Sequence, residues 1–379
     1  MDTDVKMVDP LDALHSGREE PALRVGLVVP QSGPLGLTGP SALDGALLAA
    51  HEVNSGGGVR GLPLELVPVD GGAPPPAVAG EVSRLLAAGA VDALAGCHSS
   101  DVHRAVEAVT AGRAAYVYTP PHEGGPRRPG VVCTGLPPMR QLGRAMVTVT
   151  DHHRLRRWAL IGNDYIWPRS VHRAAGALLA RTPARVVLER RIPLGGVAGA
   201  LEPLLAELRS SRADGLLLSL IGRDLVHFNR ALRRSGLDRR LVRLSGALEE
   251  NSLLAYGGDD TGTLYAAMPS FASLGEDRRQ RLTERHRAVL GPHAPVLDAY
   301  AAGLYDGIHL LAALSWRRPP SPHGLARAAG RLLRADDVTA RRAWARAPLG
   351  PPREHAHLAR VEGLDFTVIP LWQNPSIWK

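Results

Sequence analysis

Short apolar runs alternate along this chain with stretches whose apolar residues recur at helical spacing, and this order restricts the possible folds strongly. RVGLVVPQSG (24–33) is followed by PSALDGALLAAHEVN (40–54), and LPLELVPVD (62–70) is followed by AVAGEVSRLLAAG (77–89). The same order continues to about residue 270. Continuous apolar strands separated by amphipathic helices predict an α/β fold of βαβ units, in which helices cover both faces of parallel sheets.

The number of these units predicts two lobes rather than one sheet. A chain of 379 residues exceeds the usual size of a single hydrophobic core. We expect lobe 1 to comprise 24–138 and 271–345, and lobe 2 to comprise 139–270 and 346–379. A ligand cleft is expected where the lobes meet, beside the carboxyl ends of the strands.

The end of the chain changes pattern. Two apolar helices are predicted at roughly 296–316 and 322–335. A strand-like stretch follows at 357–372 and is interrupted by Glu362–Gly363, which predicts a hairpin turn at that point.

The first residues bear on the cellular compartment. Residues 1–20 are acidic and polar, whereas a secretory signal needs a basic start and an apolar segment of about 7–15 residues. The first cysteine is Cys97, so no early cysteine offers a lipid anchor. We therefore expect 1–23 to be a mobile tail on a cytoplasmic protein, with Cys97 and Cys133 reduced. No apolar run reaches the roughly 18–20 residues of a membrane-spanning helix.

The net charge of +8 raises the question of nucleic-acid binding. Of the 45 basic residues only Lys6 and Lys379 are lysines, and the arginines are spread along the whole chain. Aromatic residues are only 4%, so side chains on which single-stranded bases could stack are scarce. This pattern is typical of an arginine-rich composition, and we expect no direct DNA binding.

No sequence motif indicates a cofactor, a metal ion or catalysis. The stretch GGGVRG (56–61) matches G-x-G-x-x-G, but it follows a helix and precedes a strand, the reverse of a dinucleotide site. It is better interpreted as a helix end and turn. The sequence has no phosphate-binding loop, H-E-x-x-H or C-x-x-C. A Ser/His/Asp set assembled only in the folded chain stays open, but we expect a non-enzymatic protein.

Polar and aromatic residues cluster directly after several predicted strands. These candidate ligand-binding residues are His98, Ser100, Tyr118, Thr119, Pro120, Tyr165, Trp167 and Glu249. Aromatic rings offer apolar contact area and hydroxyl groups add polar contacts, a combination that suits a small polar ligand.

Five stretches, taken in order, resemble one family: RVGLVVPQSG, HEVNSGGGVRGLPLELVPVD, AGCHSSDVHRAVEAV, YTPPHEG and IGNDYIWPRS. They look like the type I periplasmic-binding-protein fold. More closely, they are similar to the amide sensors that regulate aliphatic amidase operons and to short-chain amide and urea binding proteins. The specific motifs are Y-x-x-P-x-E-G and G-x-D-Y-I-x-P-R, and the similarity runs from about 24 to 372. The resemblance implies two Rossmann-like lobes with a ligand clamped between them.

The resemblance assigns the amide contacts of the family to Ser100, Tyr118 and Tyr165. The chain departs from the family pattern beside them. His98 stands where the family has tyrosine, and Tyr118-Thr119-Pro120-Pro121-His122 stands where the family has Tyr-Pro-Thr-Pro-Tyr. These departures favour a ligand that is larger or more polar than acetamide.

The function that the resemblance implies is a cytoplasmic sensor of a small, neutral amide or urea-like ligand. Ligand-driven lobe closure would control a protein partner, in the family an RNA-binding transcription antiterminator. The alternative is the solute-binding protein of an ABC importer for amides, urea or branched-chain amino acids. An amino acid would need a carboxylate such as Asp224 or Glu249 for its ammonium group. The ligand, the partner and the formation of a homo-oligomer stay open at this point.

Overall fold

A computed structural model describes residues 5–15, 20–315, 323–324, 326–327 and 355–371. Its strands are β1 Leu23–Val29, β2 Leu64–Asp70, β3 Ala93–Gly96, β4 Ala115–Tyr118, β5 Val131–Cys133, β6 Arg157–Asn163, β7 Arg185–Ile192, β8 Gly215–Ser219, β9 Val242–Ser245, β10 Leu264–Met268, β11 His357–Glu362 and β12 Asp365–Ile369. Its α-helices are α1 Pro10–His15, α2 Gly39–Ser55, α3 Pro75–Ala87, α4 Ser100–Thr110, α5 Arg144–His153, α6 Ile166–Leu179, α7 Val197–Ser211, α8 Gly222–Arg234, α9 Glu250–Tyr256, α10 Asp277–Leu290 and α11 Ala299–Ser315. A π-helical segment, Met139–Gly143, leads into α5, and a 3₁₀ turn, Leu237–Arg239, follows α8.

The chain divides into two compact units. The first unit comprises Met1–Pro120, Gly125–Gly135 and Glu276–Pro352, and the second comprises Pro121–Gly124, Leu136–Gly275 and Arg353–Lys379.

The first unit is built on a parallel sheet with the strand order β2-β1-β3-β4-β5. Alternate side chains of each strand point to opposite faces, so the sheet has two hydrophobic cores. On one face Leu27 and Val117 pack in a core with residues of α2 and α11. On the other face Val28 and Tyr116 pack in a core with residues of α3 and α4. Both faces are covered, as the continuous apolar strands predict.

Helices α2 and α11 approach each other closely at a glycine. A Cβ atom placed on Gly45 would lie 2.2 Å from the carbonyl oxygen of Ala301. Only a residue without a side chain allows this contact between the two backbones, which brings α2 and α11 together on one face of the sheet.

The prediction of a mobile tail over 1–23 is wrong for residues 5–15. Met7 pairs with Leu66 of β2 in parallel, and the Val8 amide donates to the Leu66 carbonyl at 2.8 Å. Val5 and Val8 are buried against the unit. The physical reason is that β2 is the outermost strand of its sheet, and its unpaired backbone groups bond the first residues of the chain. Residues 1–4 and 16–19 lie outside the described residues.

The second unit is built on a mixed sheet with the strand order β12-β11-β10-β9-β8-β6-β7. Strands β6 to β10 pair in parallel, whereas β11 is antiparallel to β10 and β12 is antiparallel to β11. The predicted hairpin is confirmed: Glu362 pairs with Asp365, and Gly363 in the turn has a φ of 64°. The predicted helix at 296–316 corresponds to α11. Most of the predicted helix at 322–335 lies outside the described residues.

Candidate functional site

In the first unit, the predicted binding residues lie at the carboxyl ends of two neighbouring strands. His98 and Ser100 follow β3, and Thr119 and Pro120 follow β4. Since β3 and β4 are parallel and Gly96 pairs with Tyr118, the segments that follow the two strands leave the sheet side by side. The sheet therefore brings these residues together at one edge.

Ser100 carries a buried hydroxyl group that has no hydrogen-bond partner among the described residues. It is the first residue of α4 and is 1% exposed. The neighbouring Ser99 caps the helix, because its Oγ accepts from the Val102 amide at 3.4 Å. A buried polar group without a partner costs about 1–3 kcal/mol. Ser100 thus has an unused hydrogen-bonding group at the positively polarised start of α4, and its contact with a ligand stays a prediction.

His98 begins a chain of buried hydrogen bonds. Its Nδ1 lies 3.2 Å from the Ser99 carbonyl and its Nε2 lies 3.1 Å from the Tyr116 hydroxyl, which is 3.0 Å from His103 Nδ1. Burial lowers the pKa of His98 to about 4, against the opposing effect of the Ser99 bond, so the ring is neutral at pH 7.

The partners determine which atoms carry the protons. A carbonyl only accepts, so His98 Nδ1 is protonated and its Nε2 accepts from the Tyr116 hydroxyl. His103 then donates from Nδ1 to the Tyr116 oxygen, and its Nε2 accepts from the Cys133 thiol at 3.8 Å. The chain of bonds holds His98 in one tautomer and one orientation.

Tyr118 and Thr119 are bonded within their own unit. The Tyr118 hydroxyl donates to the His98 carbonyl at 2.7 Å, and its ring stacks on His103 with centroids 4.0 Å apart. The Thr119 hydroxyl donates to the Gly96 carbonyl at 3.3 Å. Pro120 is buried beside them. Both bonds hold the segments after β3 and β4 in place, and contact of Tyr118, Thr119 and Pro120 with a ligand stays a prediction.

In the second unit, Tyr165 and Trp167 lie where β6 leads into α6. Tyr165 precedes the first residue of α6, and its ring centroid lies 6.4 Å from that of Trp167. Trp167 is 3% exposed, yet its indole Nε1 bonds to none of the residues that the structure describes. Trp167 thus offers a buried hydrogen-bond donor at the carboxyl end of a strand, as Ser100 does in the first unit.

The two candidate carboxylates of the second unit, Glu249 and Asp224, both accept hydrogen bonds from groups of their own unit. Glu249 caps α9: its side chain accepts from the amides of Asn251 at 2.6 Å and Ser252 at 2.9 Å. Asp224 accepts from Asn163 Nδ2 at 2.6 Å and from the Gly195 amide at 2.7 Å. Both carboxylates are buried. The bonds of Glu249 explain its position without a ligand, and its assignment to the binding site stays a prediction.

Gln141 is a site candidate that the sequence analysis missed. It lies in the π-helical segment Met139–Gly143, and π-helical turns occur frequently at functional sites. Its Nε2 donates to the carbonyls of Gly246 at 2.6 Å and Ala267 at 2.9 Å, whereas its buried Oε1 has no hydrogen-bond partner within the described ranges. Gln141 therefore offers a buried acceptor beside the ends of β9 and β10. No local motif marks it, because both its partners lie more than one hundred residues further along the chain.

The second unit also contains a serine, a histidine and a carboxylate in line. His172 Nε2 lies 2.9 Å from Ser219 Oγ, and His172 Nδ1 lies 3.1 Å from Glu189 Oε1. The order of groups is that of a hydrolytic triad. Ser219 has no exposed surface, however, and a Cβ on Gly162 would lie 2.2 Å from its hydroxyl oxygen. No substrate carbonyl fits beside this oxygen, so we interpret the three groups as a structural bond network.

Among the described residues, no group of three or more His, Cys, Asp or Glu side chains is placed to hold a metal ion. Within the same part of the chain, none of the helices combines the length and apolarity that a bilayer crossing needs.

Comparison with known proteins identifies the fold. A family model described as "Periplasmic binding protein" matches residues 22–363. The substrate-binding protein LivJ of a branched-chain amino acid transporter from Streptococcus pneumoniae, solved with isoleucine, is 16% identical, with a TM-score of 0.72 over 92% of this chain and 99% of that chain.

Two further solved structures are similar. An ABC transporter solute-binding protein from Rhodopseudomonas palustris, solved with 4-hydroxybenzoate, is 18% identical, with a TM-score of 0.74 over 94% of this chain and 99% of that chain. A periplasmic binding protein from Burkholderia mallei is 17% identical, with a TM-score of 0.75 over the same shares. The predicted α/β class and type I periplasmic-binding-protein fold are confirmed.

Proposed function

Because the chain belongs to the periplasmic binding protein family, we propose that it is the solute-binding protein of an importer for a small polar molecule that carries a carbonyl group. The observation that carries this proposal is the pair of buried donors without partners, Ser100 Oγ and Trp167 Nε1. Several similar structures are described as ABC transporter solute-binding proteins, which supports the transport role.

The polar groups define the chemistry of the ligand. Trp167 Nε1 can only donate, and Ser100 lies at the start of α4, where the helix dipole favours an electron-rich group. Both therefore suit a carbonyl or carboxylate oxygen. Gln141 Oε1 can only accept, which suits an N–H group on the same class of ligand. A primary amide or a urea offers both kinds of atom without a net charge.

The bonds of Asp224 and Glu249 argue against an amino acid as ligand. An ammonium group in a buried site needs a carboxylate beside it. Asp224 holds three donors of its own unit, those of Asn163, Gly195 and Val197, and Glu249 holds the first turn of α9. Neither of the two carboxylates can be withdrawn from these bonds without loss of structure. We therefore favour an uncharged ligand.

A second candidate function is the amide sensor. The motifs Y-x-x-P-x-E-G at Tyr118 and G-x-D-Y-I-x-P-R at Gly162 favour it, because they are the specific pieces of the resemblance to amide sensors. In this function the protein is cytoplasmic and controls an antiterminator-type regulator. Cell fractionation separates the two candidates: a processed, exported form supports the importer role, and a cytosolic chain of 40.4 kDa supports the sensor.

A ligand screen tests the binding site. Neutral amides, ureas, small carboxylates and amino acids are compared by thermal shift, and hits are titrated by calorimetry. Ser100→Ala and Trp167→Phe each remove one hydrogen-bond donor, and each should lower the affinity for the ligand by about 5- to 150-fold.

Trp158→Phe is the matched control for Trp167→Phe. It removes another buried indole N–H that has no partner, but near the amino end of β6, and it should leave the affinity unchanged. Equal affinity of the wild type, Ser100→Ala and Trp167→Phe would reject the proposed site. Stabilisation by amino acids alone would reject the proposed ligand class.

A further inference from the structure

Every exposed residue of α8 in the second unit is basic. These residues are Arg223, His227, Arg230, Arg233 and Arg234. Four of them, 223, 227, 230 and 234, follow each other at intervals of four, three and four residues and so lie along one side of the helix. The row is about 16 Å long at 1.5 Å per residue.

Other surface helices of this arginine-rich chain mix their charges. The exposed positions of α7 include Glu202 as well as Arg209, and those of α10 include Asp277 and Glu284. The absence of an exposed acid on α8 is therefore not a general consequence of composition. It is also locally unfavourable at the start of the helix, because like charges one turn apart repel each other and the dipole disfavours Arg223 in the first turn; only Arg233 and Arg234, in the last turn, are favoured by the dipole. A row of like charges that is unfavourable within the helix indicates that the basic side chains of α8 have a function.

Four guanidinium groups on α8 or just after it form no ion pair within the part of the chain that the structure describes. Arg223 and Arg234 on α8, and Arg239 and Arg240 just beyond it, form no ion pair with any described residue. Elsewhere in the unit some exposed arginines are paired, as Arg190 is with Glu207 at 2.6 Å, whereas others, such as Arg173 and Arg209, form no ion pair with a described residue. The unpaired groups are available to carboxylates of another molecule.

Two other arginines of α8 are held against the end of α9. Arg230 donates to the carbonyl of Ala255, and Arg233 Nη1 donates to the carbonyls of Gly257 at 3.3 Å and Gly258 at 3.4 Å. These carbonyls carry the partial negative charge of a helix end. The bonds place α8 and the end of α9 on one continuous surface.

Two exposed leucines lie on the same surface. Leu254 of α9 is 46% exposed, and Leu364, in the turn between β11 and β12, is 51% exposed. A Cβ on Gly258 would lie 3.0 Å from Leu364 Cδ2, and Asp259 and Gly363 exchange backbone hydrogen bonds of 2.8 and 2.9 Å. The surface thus combines an apolar part with a basic border, which we name the α8 face: Arg223, His227, Arg230, Arg233, Arg234, Leu254 and Leu364.

We propose that the α8 face docks a partner protein whose surface carries acidic residues around apolar side chains. Arginine beside exposed apolar groups is typical of protein–protein interfaces. Nucleic acids are less suited, because exposed leucines gain nothing from phosphates and the exposed residues of α8 include no Phe, Tyr or Trp for base stacking. The proposal goes beyond ligand binding and does not depend on which solute the protein carries.

The test uses the full-length protein and two labelled probes. One probe is a synthetic helical peptide with glutamates at three- and four-residue spacing around leucines, and the other is a DNA duplex. Binding is measured by fluorescence anisotropy at about 150 mM salt, where weak long-range attraction between charges is screened. The peptide should bind to the wild type. The double variant Arg223→Glu and Arg234→Glu should lower the affinity for the peptide at least about tenfold. Leu254→Ser should weaken it without changing the salt dependence.

The matched control is Arg173→Glu combined with Arg209→Glu. Both residues are exposed arginines of the same unit, on α6 and α7, and the change in net charge is identical. The control should leave peptide affinity within about twofold of the wild type, and melting curves should show that all variants fold. An equal loss in the control, or tighter binding of the DNA duplex than of the peptide, would overturn the proposal. Compounds that bind in the ligand screen should bind these variants with unchanged affinity. Loss of peptide binding can therefore be distinguished from loss of ligand binding.

Discussion

Replacement of Asp224 by alanine should destabilise the second unit strongly. The carboxylate is 2% exposed and accepts three hydrogen bonds, from Asn163 Nδ2 at 2.6 Å and from the amides of Gly195 at 2.7 Å and Val197 at 3.3 Å. These donors come from the ends of β6 and from the segment that begins α7. The carboxylate therefore joins three parts of the unit that are distant in the sequence.

The size of the effect follows from the number of donors lost. A hydrogen bond to a charged group contributes about 1.5–3 kcal/mol. The bond to Val197 is long, and the exposed Gly195 can bond water once the carboxylate is gone, so we expect a total of about 3–5 kcal/mol rather than the full sum. For a unit of this size, that loss lowers the melting temperature by roughly 10 °C.

Thermal unfolding followed by circular dichroism measures this loss. Asp224→Asn keeps one acceptor oxygen and should fall between the wild type and Asp224→Ala. Asp260→Ala is the control, because Asp260 is exposed and accepts no hydrogen bond from a described residue, and it should melt like the wild type. If Asp224→Ala also melts like the wild type, Asp224 does not hold the unit together. It would then be available to a ligand ammonium group, and the argument against an amino acid ligand would fail.

Three further predictions concern pH and packing. Burial lowers the pKa of His98 from 6.5 to about 4, so as the pH falls the unfolded chain binds a proton at His98 before the folded chain does. The free energy of unfolding should therefore fall as the pH drops from 6.5 to 4. In urea unfolding, His98→Gln should show a smaller loss of stability over this pH range than the wild type. Burial raises the pKa of Asp44 from 3.8 to about 6, so its charged form destabilises the folded state above that pH. Asp44→Asn should therefore raise the free energy of unfolding by about 1 kcal/mol at pH 7 and leave it unchanged below pH 4. An equal increase at both pH values would contradict the assignment. Gly45→Ala should cost about 1–3 kcal/mol in chemical unfolding because its Cβ meets the Ala301 carbonyl. Gly80→Ala in α3 is the control: no atom lies within 4 Å of the new Cβ, so the higher helix propensity of alanine should stabilise the protein by about 0.5–1 kcal/mol.

The elements of the fold were predictable because they depend on local pattern. The apolar run around Val28 and the helical spacing around Leu48 each reflect which faces of an element are buried. The hairpin at Glu362–Gly363 was predictable for the same reason, since the glycine supplies the positive φ that the turn requires. The edge pairing of Met7 with Leu66 was not predictable, because the sequence does not show which strand lies at the edge of a sheet.

The sequence predicts where the candidate site lies but not which bonds its residues make, and ligand binding there stays a prediction. The sequence pointed to strand ends, and the buried groups without partners on Ser100 and Trp167 lie there. It did not reveal that the hydroxyl of Tyr118 is held by the His98 carbonyl, or that Glu249 caps α9. These roles depend on the distance and direction of one bond, which residue type and spacing do not specify.

By itself, the sequence determined the α/β class, the order of strands and helices and the edge of each sheet at which polar residues gather, because burial imposes a period on the residues of each element. Only the tertiary structure decided which polar groups have partners. Asp224 and Asn163 are 61 residues apart, and His172 and Ser219 are 47 apart, and each pair meets because β6 and β8 are neighbours in the sheet. Strand order is set by the packing of the whole unit, so only the folded structure shows which polar groups have a partner.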